Sequence, residues 1–111
     1  MDKLEQYRDC IKQILIKYQQ YTKADSVIEA QTIFDTEHDH YQLVYVGWEN
    51  QRRVYGCVLH FDIKNERIWI QHNGTEANIA DELMDLGVSK TDIVLGFHSP
   101  FKRQFTDFAV S

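Results

Sequence analysis

Imidazole and carboxylate side chains are the groups in this 111-residue chain most able to do chemistry. Ligand types that zinc and iron accept gather in the middle of the sequence, at His38, Asp39, His40, His60, Asp62 and His72. His60 and His72 belong to two runs that have the pattern of adjacent β-strands. The register between those strands therefore decides whether the two imidazoles meet on one face of a sheet.

The hydrophobic pattern of the two runs argues against a metal site. A two-residue turn between them pairs Phe61 with Ile70 and gives one apolar face. His60 then faces Gln71, so His60 and His72 project from opposite sides of the sheet. A slip of one residue would bring the histidines together but would leave an aromatic ring opposite a glutamine. We therefore predict that the protein binds no metal and needs no cofactor.

The other candidate catalytic groups are solvated or isolated. Carboxylates that could pair for hydrolysis flank a predicted turn or lie on the outer face of a predicted helix, at Asp35, Glu37, Asp39, Asp81, Glu82 and Asp85. Cys57 alternates toward the apolar side of its strand. Ser99 has only His98 beside it, and neighbouring side chains on an extended chain point apart. We predict no catalytic residues, and therefore a protein that is not an enzyme.

Aromatic and basic residues stand together at two places, and such residues commonly anchor protein interfaces. One place is a predicted hairpin and the other is the C-terminal tail. The predicted partner-binding residues are Trp48, Arg52, Arg53, Phe101, Lys102 and Arg103. In the tail, Phe101, Phe105 and Phe108 are too apolar for a solvated segment. We expect these three rings to be buried while Lys102 and Arg103 project outward.

Hydrophobic periodicity predicts the elements that position these groups. Apolar spacing of three and four predicts a helix from Leu4 to Tyr21, capped by Asp2 and ended by the polar run Thr22 to Ser26. Alternation and β-branched content predict four strands, at Val27 to Asp35, Tyr41 to Trp48, Arg53 to Ile63 and Arg67 to Gln71. Their short polar links predict an antiparallel meander, since a parallel crossover needs about a dozen residues.

A second helix and a fifth strand complete the predicted fold. The helix is expected from Glu76 to Leu86 with Gly87 as a left-handed cap, and the strand from Ile93 to Phe97 after one helical turn. Pro100 is expected to break whatever precedes it. The fold class is α+β, with a mainly antiparallel five-stranded sheet, a four-stranded meander plus one, and two helices in the order α-β-β-β-β-α-β. We expect a single domain over residues 1–111.

Charge and composition exclude several classes of function. Twelve Lys and Arg against 17 Asp and Glu give a net charge of −5, and no basic run exceeds two residues. Independent DNA binding is therefore not expected. No apolar run approaches the roughly 20 residues that span a bilayer, and the first residues lack a signal-peptide pattern, so we predict a cytoplasmic protein without membrane contact. Open sheet edges leave a homodimer as an option.

Longer stretches of the sequence resemble one protein family. The resemblance begins at about Leu4 and covers nearly the whole chain, most densely in Asp39–Val44, Val46–Trp48, Arg53–Cys57, Asp62–Lys64, Ile68–Gln71, Gly74–Glu76, Asp92–Leu95 and Pro100–Arg103. In these stretches the chain is similar to the XisI family, the fdxN element excision controlling factors of cyanobacteria. It departs from the family at Asn65-Glu66, where Asn-Gly is frequent, at Asn73, where an acid is frequent, and at Ser89, where Pro is frequent.

The resemblance implies a role in developmentally controlled DNA excision, as during heterocyst differentiation. It implies an accessory controlling factor that binds an XisH-like protein, supports a site-specific recombinase complex and meets DNA only indirectly. It implies no catalytic residues. Two alternatives stay open. A contiguous positive surface around Arg52, Arg53, Lys102 and Arg103 would favour a direct DNA-binding architectural protein. A cleft joining His38 or His40 to Asp39 and His60 would favour a metal-dependent hydrolase or nuclease.

Overall fold

The N-terminal segment forms a long amphipathic helix. A computed structural model describes residues 2–21 and 27–111. Helix α1 spans Lys3–Gln20, and the Asp2 side chain caps it by accepting a hydrogen bond from the Leu4 amide at 3.1 Å. Its buried face consists of Tyr7, Cys10, Ile11, Ile14 and Leu15. The predicted helix is thus confirmed, whereas its predicted end in the run 22–26 lies outside the described residues.

Five strands form one sheet whose spatial order follows the chain. They are β1 Ile28–Asp35, β2 His40–Glu49, β3 Arg52–Lys64, β4 Arg67–Asn73 and β5 Ile93–Leu95. The first four strands pair antiparallel with their neighbours, and β5 runs parallel to β4. The predicted meander plus one strand is therefore confirmed. Strand β5 is shorter than predicted because the amides of Gly96 and His98 turn back to the carbonyls of Val94 and Leu95.

The second helix starts later than its sequence pattern predicts. Helix α2 spans Ile79–Asp85 instead of starting at Glu76. Before it, the Asn73 side chain accepts the Thr75 amide at 2.9 Å and donates to the Ala77 carbonyl at 2.9 Å. These bonds hold the chain in a turn. After the helix, Gly87 adopts φ 99°, which confirms the predicted left-handed cap.

A short third helix, α3, spans Pro100–Arg103, so the described chain has three α-helices where two were predicted. Ser99 caps α3, its hydroxyl accepting the Lys102 amide at 3.2 Å. Proline is well tolerated in the first turn of a helix, where its missing N–H has no intrahelical partner. Pro100 therefore opens a helix rather than only ending a strand. The predicted helical turn before β5 is confirmed as a 3₁₀ turn, Lys90–Asp92.

Helices α1 and α2 cover one face of the sheet, the inner face. Side chains of α1, α2 and alternate positions of β2, β3 and β4 join in one core cluster, which includes Ile11, Leu83, Tyr41, Phe61 and Ile70. Since side chains alternate along a strand, the intervening residues of β2, β3 and β4 point to the opposite, outer face. Of the candidate metal ligands, His40, His60 and Asp62 belong to that outer face.

Two β-bulges shift the register of the sheet, one between β2 and β3 and one between β3 and β4. Ile63 pairs with Ile68 and Phe61 with Ile70, which confirms the predicted turn and apolar pairing. Beyond Phe61 the register shifts, and His60 pairs with His72 instead of Gln71. The prediction that His60 and His72 lie on opposite sides was therefore wrong, because it assumed an unbroken ladder.

Candidate functional site

Three ligand-type side chains meet on the outer face, at His40 on β2 and His60 and Asp62 on β3. Nδ1 of His40 and Nε2 of His60 each lie 2.8 Å from Oδ1 of Asp62. The three ligand atoms all lie within 4.8 Å of one another. We call these residues the outer-face cluster. Asp62 is largely buried, with 13% of its side chain exposed, while 57% of the His40 side chain is exposed.

Two glutamines support the outer-face cluster from neighbouring positions. Gln71 Nε2 donates to Oδ2 of Asp62 at 3.0 Å, so both oxygens of that carboxylate are engaged. Gln42 lies across the strand pair from His60, with its Nε2 3.4 Å from Nδ1 of the ring. Gln71 lies two residues after Trp69, the partner of Asp62, so its side chain is on the same face as Asp62.

The cluster holds a carboxylate charge against two imidazoles. Burial alone would raise the pKa of Asp62, but hydrogen bonds from His40, His60 and Gln71 outweigh it and lower the pKa below its ordinary value. The bond to Asp62 raises the pKa of the His40 imidazole. Asp62 is therefore ionised at neutral pH and attracts a cation or proton to this point of the sheet.

Two other candidate metal ligands, His38 and Asp39, form hydrogen bonds outside the outer-face cluster. Nδ1 of His38 contacts Asp35 at 3.0 Å in the β1–β2 turn. Asp39 accepts hydrogen bonds from Arg8 on α1, at 2.8 Å and 3.2 Å, and from Tyr41, at 2.8 Å. Those bonds lower the pKa of the Asp39 carboxyl, the contact with Arg8 being the largest cause. Of the residues that a hydrolase cleft was expected to join, the structure brings together only His40 and His60, which both contact Asp62.

A second candidate site lies at the end of the β2–β3 hairpin, at Trp48, Arg52 and Arg53, which we call the hairpin tip. Trp48 is 54% exposed, and the Arg53 guanidinium lies 5.4 Å from the centre of its ring. The last partner of β4 on β3 is Leu59, so the tip extends beyond β4. Tyr55, on the same hairpin, is 73% exposed. An exposed tryptophan stacked with arginine is typical of an interface anchor.

The C-terminal tail presents aromatic rings that were predicted to be buried. Phe101 is 68% exposed and Phe105 is 75% exposed, and their rings contact each other edge to face at 5.2 Å. Only Phe108 packs against the core, as predicted. The prediction failed for the other two because α3 and the turn after it place them four residues apart on the solvent side. We call Phe101 and Phe105 the tail pair.

The two basic residues of the tail have different environments. Lys102 is exposed, as predicted. Arg103 is half-buried, with its guanidinium 5.1 Å from the centre of the Trp69 ring and hydrogen bonds to the carbonyls of His98 and Val110. Trp69 faces outward beside Asp62. Arg103 therefore fastens the tail to the outer face, and the prediction that it projects outward was wrong.

The two basic pairs do not form one positive surface. Arg103 stacks on Trp69, whose partner on β3 is Asp62, whereas Arg52 and Arg53 begin β3. A strand rises about 3.3 Å per residue, so about 30 Å of β3 separates Arg53 from Asp62. The contiguous positive surface that would favour direct DNA binding is not observed at these residues.

Comparison with known proteins gives consistent matches over almost the full chain. A family model described as XisI protein matches residues 1–110. The crystal structure of an XisI-like protein from Anabaena variabilis ATCC 29413 is 44% identical, with a TM-score of 0.92, covering 99% of this chain and 100% of that one. The crystal structure of the fdxN element excision controlling factor XisI from the same organism is 37% identical, with a TM-score of 0.87 and the same coverage. None of the curated proteins matches this chain. No helix within residues 2–21 and 27–111 has the length and apolar character to cross a membrane.

Proposed function

This chain belongs to the XisI family, and from that premise we propose that it is an accessory controlling factor for site-specific excision of a DNA element. In this proposal it acts in the cytoplasm by binding an XisH-like partner and has no catalytic role of its own. It meets DNA only through the partner or a recombinase complex. The name of one solved relative, fdxN element excision controlling factor, supports the excision role.

The observation that carries a protein-binding role is the exposed aromatic side chain of the hairpin tip. Trp48 keeps 54% of its surface in solvent although the core of the same sheet has fully buried aromatic residues such as Tyr41 and Phe61. Tryptophan and arginine are the residues that most often dominate binding energy in interfaces. An XisH-like partner that covers Trp48 and Arg53 would remove this apolar surface from water.

The tail pair supplies a second apolar anchor for the same partner. Phe101 lies on α3 and Phe105 in the turn that follows it, and Arg103 holds this segment on the sheet. Lys102 lies beside them in solvent and gives the surface a positive charge. Arg103, in contrast, contributes by fixing the backbone that presents them.

Affinity capture of the tagged protein from its host tests the partner, with the bound proteins identified by mass spectrometry. Binding of the purified XisH-like protein then tests the surface. We expect Trp48→Ala and Phe101→Ala to weaken binding at least about 30-fold each, as hot-spot residues do. Tyr21→Ala, which removes an exposed aromatic ring from another region, is the control and should bind within about threefold of the parent. Parent-like binding by both test variants, or no binding of the XisH-like protein, would contradict the proposal.

The described residues support each of the two alternative functions less than a protein-binding role. Direct DNA binding lacks the contiguous basic surface, because Arg53 and Arg103 lie far apart on the sheet. The hydrolase alternative needed Asp39 in the same cleft as His40 and His60, and Asp39 is instead paired with Arg8. A protein-binding role is therefore preferred.

A further inference from the structure

The outer-face cluster contains three metal-ligand atoms held on two strands. The strands are rigidly placed, since the residues next to the ligands in sequence, Tyr41 and Phe61, are fully buried on the inner face. His40 pairs directly with Asp62 across β2 and β3, and His60 lies two residues before Asp62 on the same side. Sites built on strands of a core sheet hold their geometry better than sites on loops.

Contrary to the sequence-based prediction that the protein binds no metal, we propose that His40 Nδ1, His60 Nε2 and Asp62 Oδ1 bind a divalent transition-metal ion of the zinc class. Two imidazoles and one carboxylate are a donor set that zinc and iron accept, whereas magnesium and calcium prefer oxygen alone. Ligand bonds of about 2.0–2.2 Å in a tetrahedral site require donor atoms about 3.3–3.6 Å apart. The two contacts of 2.8 Å must therefore lengthen by about 0.5–0.8 Å, and the exposed ring of His40 has room to move away from Asp62.

The surrounding amides match what such a site requires. A carboxylate ligand is normally held by a hydrogen bond to its other oxygen, and Gln71 already donates to Oδ2 of Asp62 at 3.0 Å. His60 can give its Nε2 lone pair to a metal only if its proton resides on Nδ1. Gln42 lies 3.4 Å from that Nδ1, and turning its amide would present Oε1 as the acceptor. Both supporting side chains are thus in place.

Three protein ligands leave at least one coordination position open toward solvent. The position opens on the outer face, beside the Trp69 ring on which Arg103 fastens the tail. A water molecule or a side chain of a binding partner can complete the coordination. The three donor atoms can bind the ion whether or not the proposed partner is present.

Zinc binding by the purified chain tests the site directly. The protein is stripped with a chelator, and Zn²⁺ is titrated in competition with a chromophoric chelator, with Co²⁺ absorption as an independent readout. We expect one equivalent to bind, and Asp62→Asn and His60→Gln to weaken binding at least about 100-fold, as the loss of a ligand should exceed the 10–100-fold cost of losing a supporting residue. His40→Gln, at the most exposed ligand, is the variant least able to disturb folding and should show the same loss.

His38→Gln is the matched control, because His38 is an exposed histidine that pairs with Asp35 outside the cluster. It should bind Zn²⁺ as the parent does. Gln71→Leu should weaken binding by about tenfold through the lost bond to Asp62. The proposal is overturned if the parent binds no stoichiometric Zn²⁺, if His40→Gln binds like the parent, or if His38→Gln loses binding to the same extent.

Discussion

Replacing Arg103 by alanine should destabilise the protein, whereas the same change at its neighbour Lys102 should not. The Arg103 side chain is half-buried and makes three contacts at once, with the Trp69 ring and with the carbonyls of His98 and Val110. Lys102 is exposed. Adjacent basic residues of the same short helix therefore provide a matched pair, one fixing the tail and one solvated.

The size of the loss follows from the three contacts. A hydrogen bond from a charged donor contributes roughly 1.5–3 kcal/mol to stability. The two bonds from Arg103 are partly exposed, so each should contribute about 1.5 kcal/mol or less. Stacking of the guanidinium on Trp69 adds about 0.5–1 kcal/mol at such a site. Contacts of one side chain are not additive, so the expected loss in the free energy of unfolding is about 2–3 kcal/mol. For a chain of this length that lowers Tm by roughly 8–12 °C.

Urea unfolding followed by circular dichroism measures the effect, with a thermal scan as a second readout. Lys102→Ala should stay within about 0.5 kcal/mol of the parent, as exposed positions usually do. Arg103→Lys keeps the charge but not the planar, forked donor group, so it should recover only part of the loss. The assignment of Arg103 to a structural role is wrong if Arg103→Ala unfolds within 0.5 kcal/mol of the parent, or if Lys102→Ala is equally destabilised.

Three further changes test the sheet, a turn and a buried hydroxyl. In Gly47→Ala the new Cβ would lie 2.5 Å from the backbone oxygen of Val27, just before β1, so urea unfolding should show a free energy of unfolding lower by about 1–3 kcal/mol. Gly56→Ala is the control, because its new Cβ would have no atom within 4 Å and should leave the stability nearly unchanged. Glu66 adopts φ 63° in the β3–β4 turn, a backbone conformation that glycine adopts more easily than glutamate. Glu66→Gly should therefore stabilise the protein by about 0.5–1 kcal/mol, and an unchanged urea midpoint would contradict backbone strain at this residue. Burial and the hydrogen bond to Asp92 raise the pKa of Tyr7 to about 12 from 10.0. The contribution of the Tyr7 hydroxyl to the free energy of unfolding is therefore complete below about pH 10 and is lost as the pH rises through about 12. Tyr7→Phe should therefore be less stable than the parent at pH 8, by about 1 kcal/mol, and the difference should shrink near pH 12; a difference that does not change with pH would contradict this linkage.

The inner face of the sheet could be predicted from the sequence because burial controls it. Apolar residues recur every second position in β3, at Leu59, Phe61 and Ile63, and all three are buried in the structure. The same alternation predicted the pairing of Phe61 with Ile70, which is observed. Since misplacing such residues would expose large apolar side chains, the pattern leaves little freedom in the register of this face.

The tail was less predictable because a few apolar residues do not determine which of them is buried. Phe101, Phe105 and Phe108 were all expected inside, yet only Phe108 reaches the core. Ser99 and Pro100 start a helix here, and a helix turns side chains four residues apart to the same side. Phe101 and Phe105 consequently share the solvent side, while the guanidinium of Arg103 takes the place on Trp69.

The outer-face cluster depends on a single additional residue in β3. Glu49 pairs with Arg52 at the hairpin end, and counting back from there would place His40 opposite Phe61. Between Leu43 and Val44 the register shifts, because Val58 is extra on β3, and His40 comes opposite Asp62 instead. Val58 packs against the core together with its neighbour Leu59, so the apolar alternation of β3 changes phase at the bulge, but that change alone does not tell which residue of β2 lies opposite which residue of β3. Polar residues that meet through a bulge can be found only by counting along a known register, which is why the structure was needed to bring His40, His60 and Asp62 together.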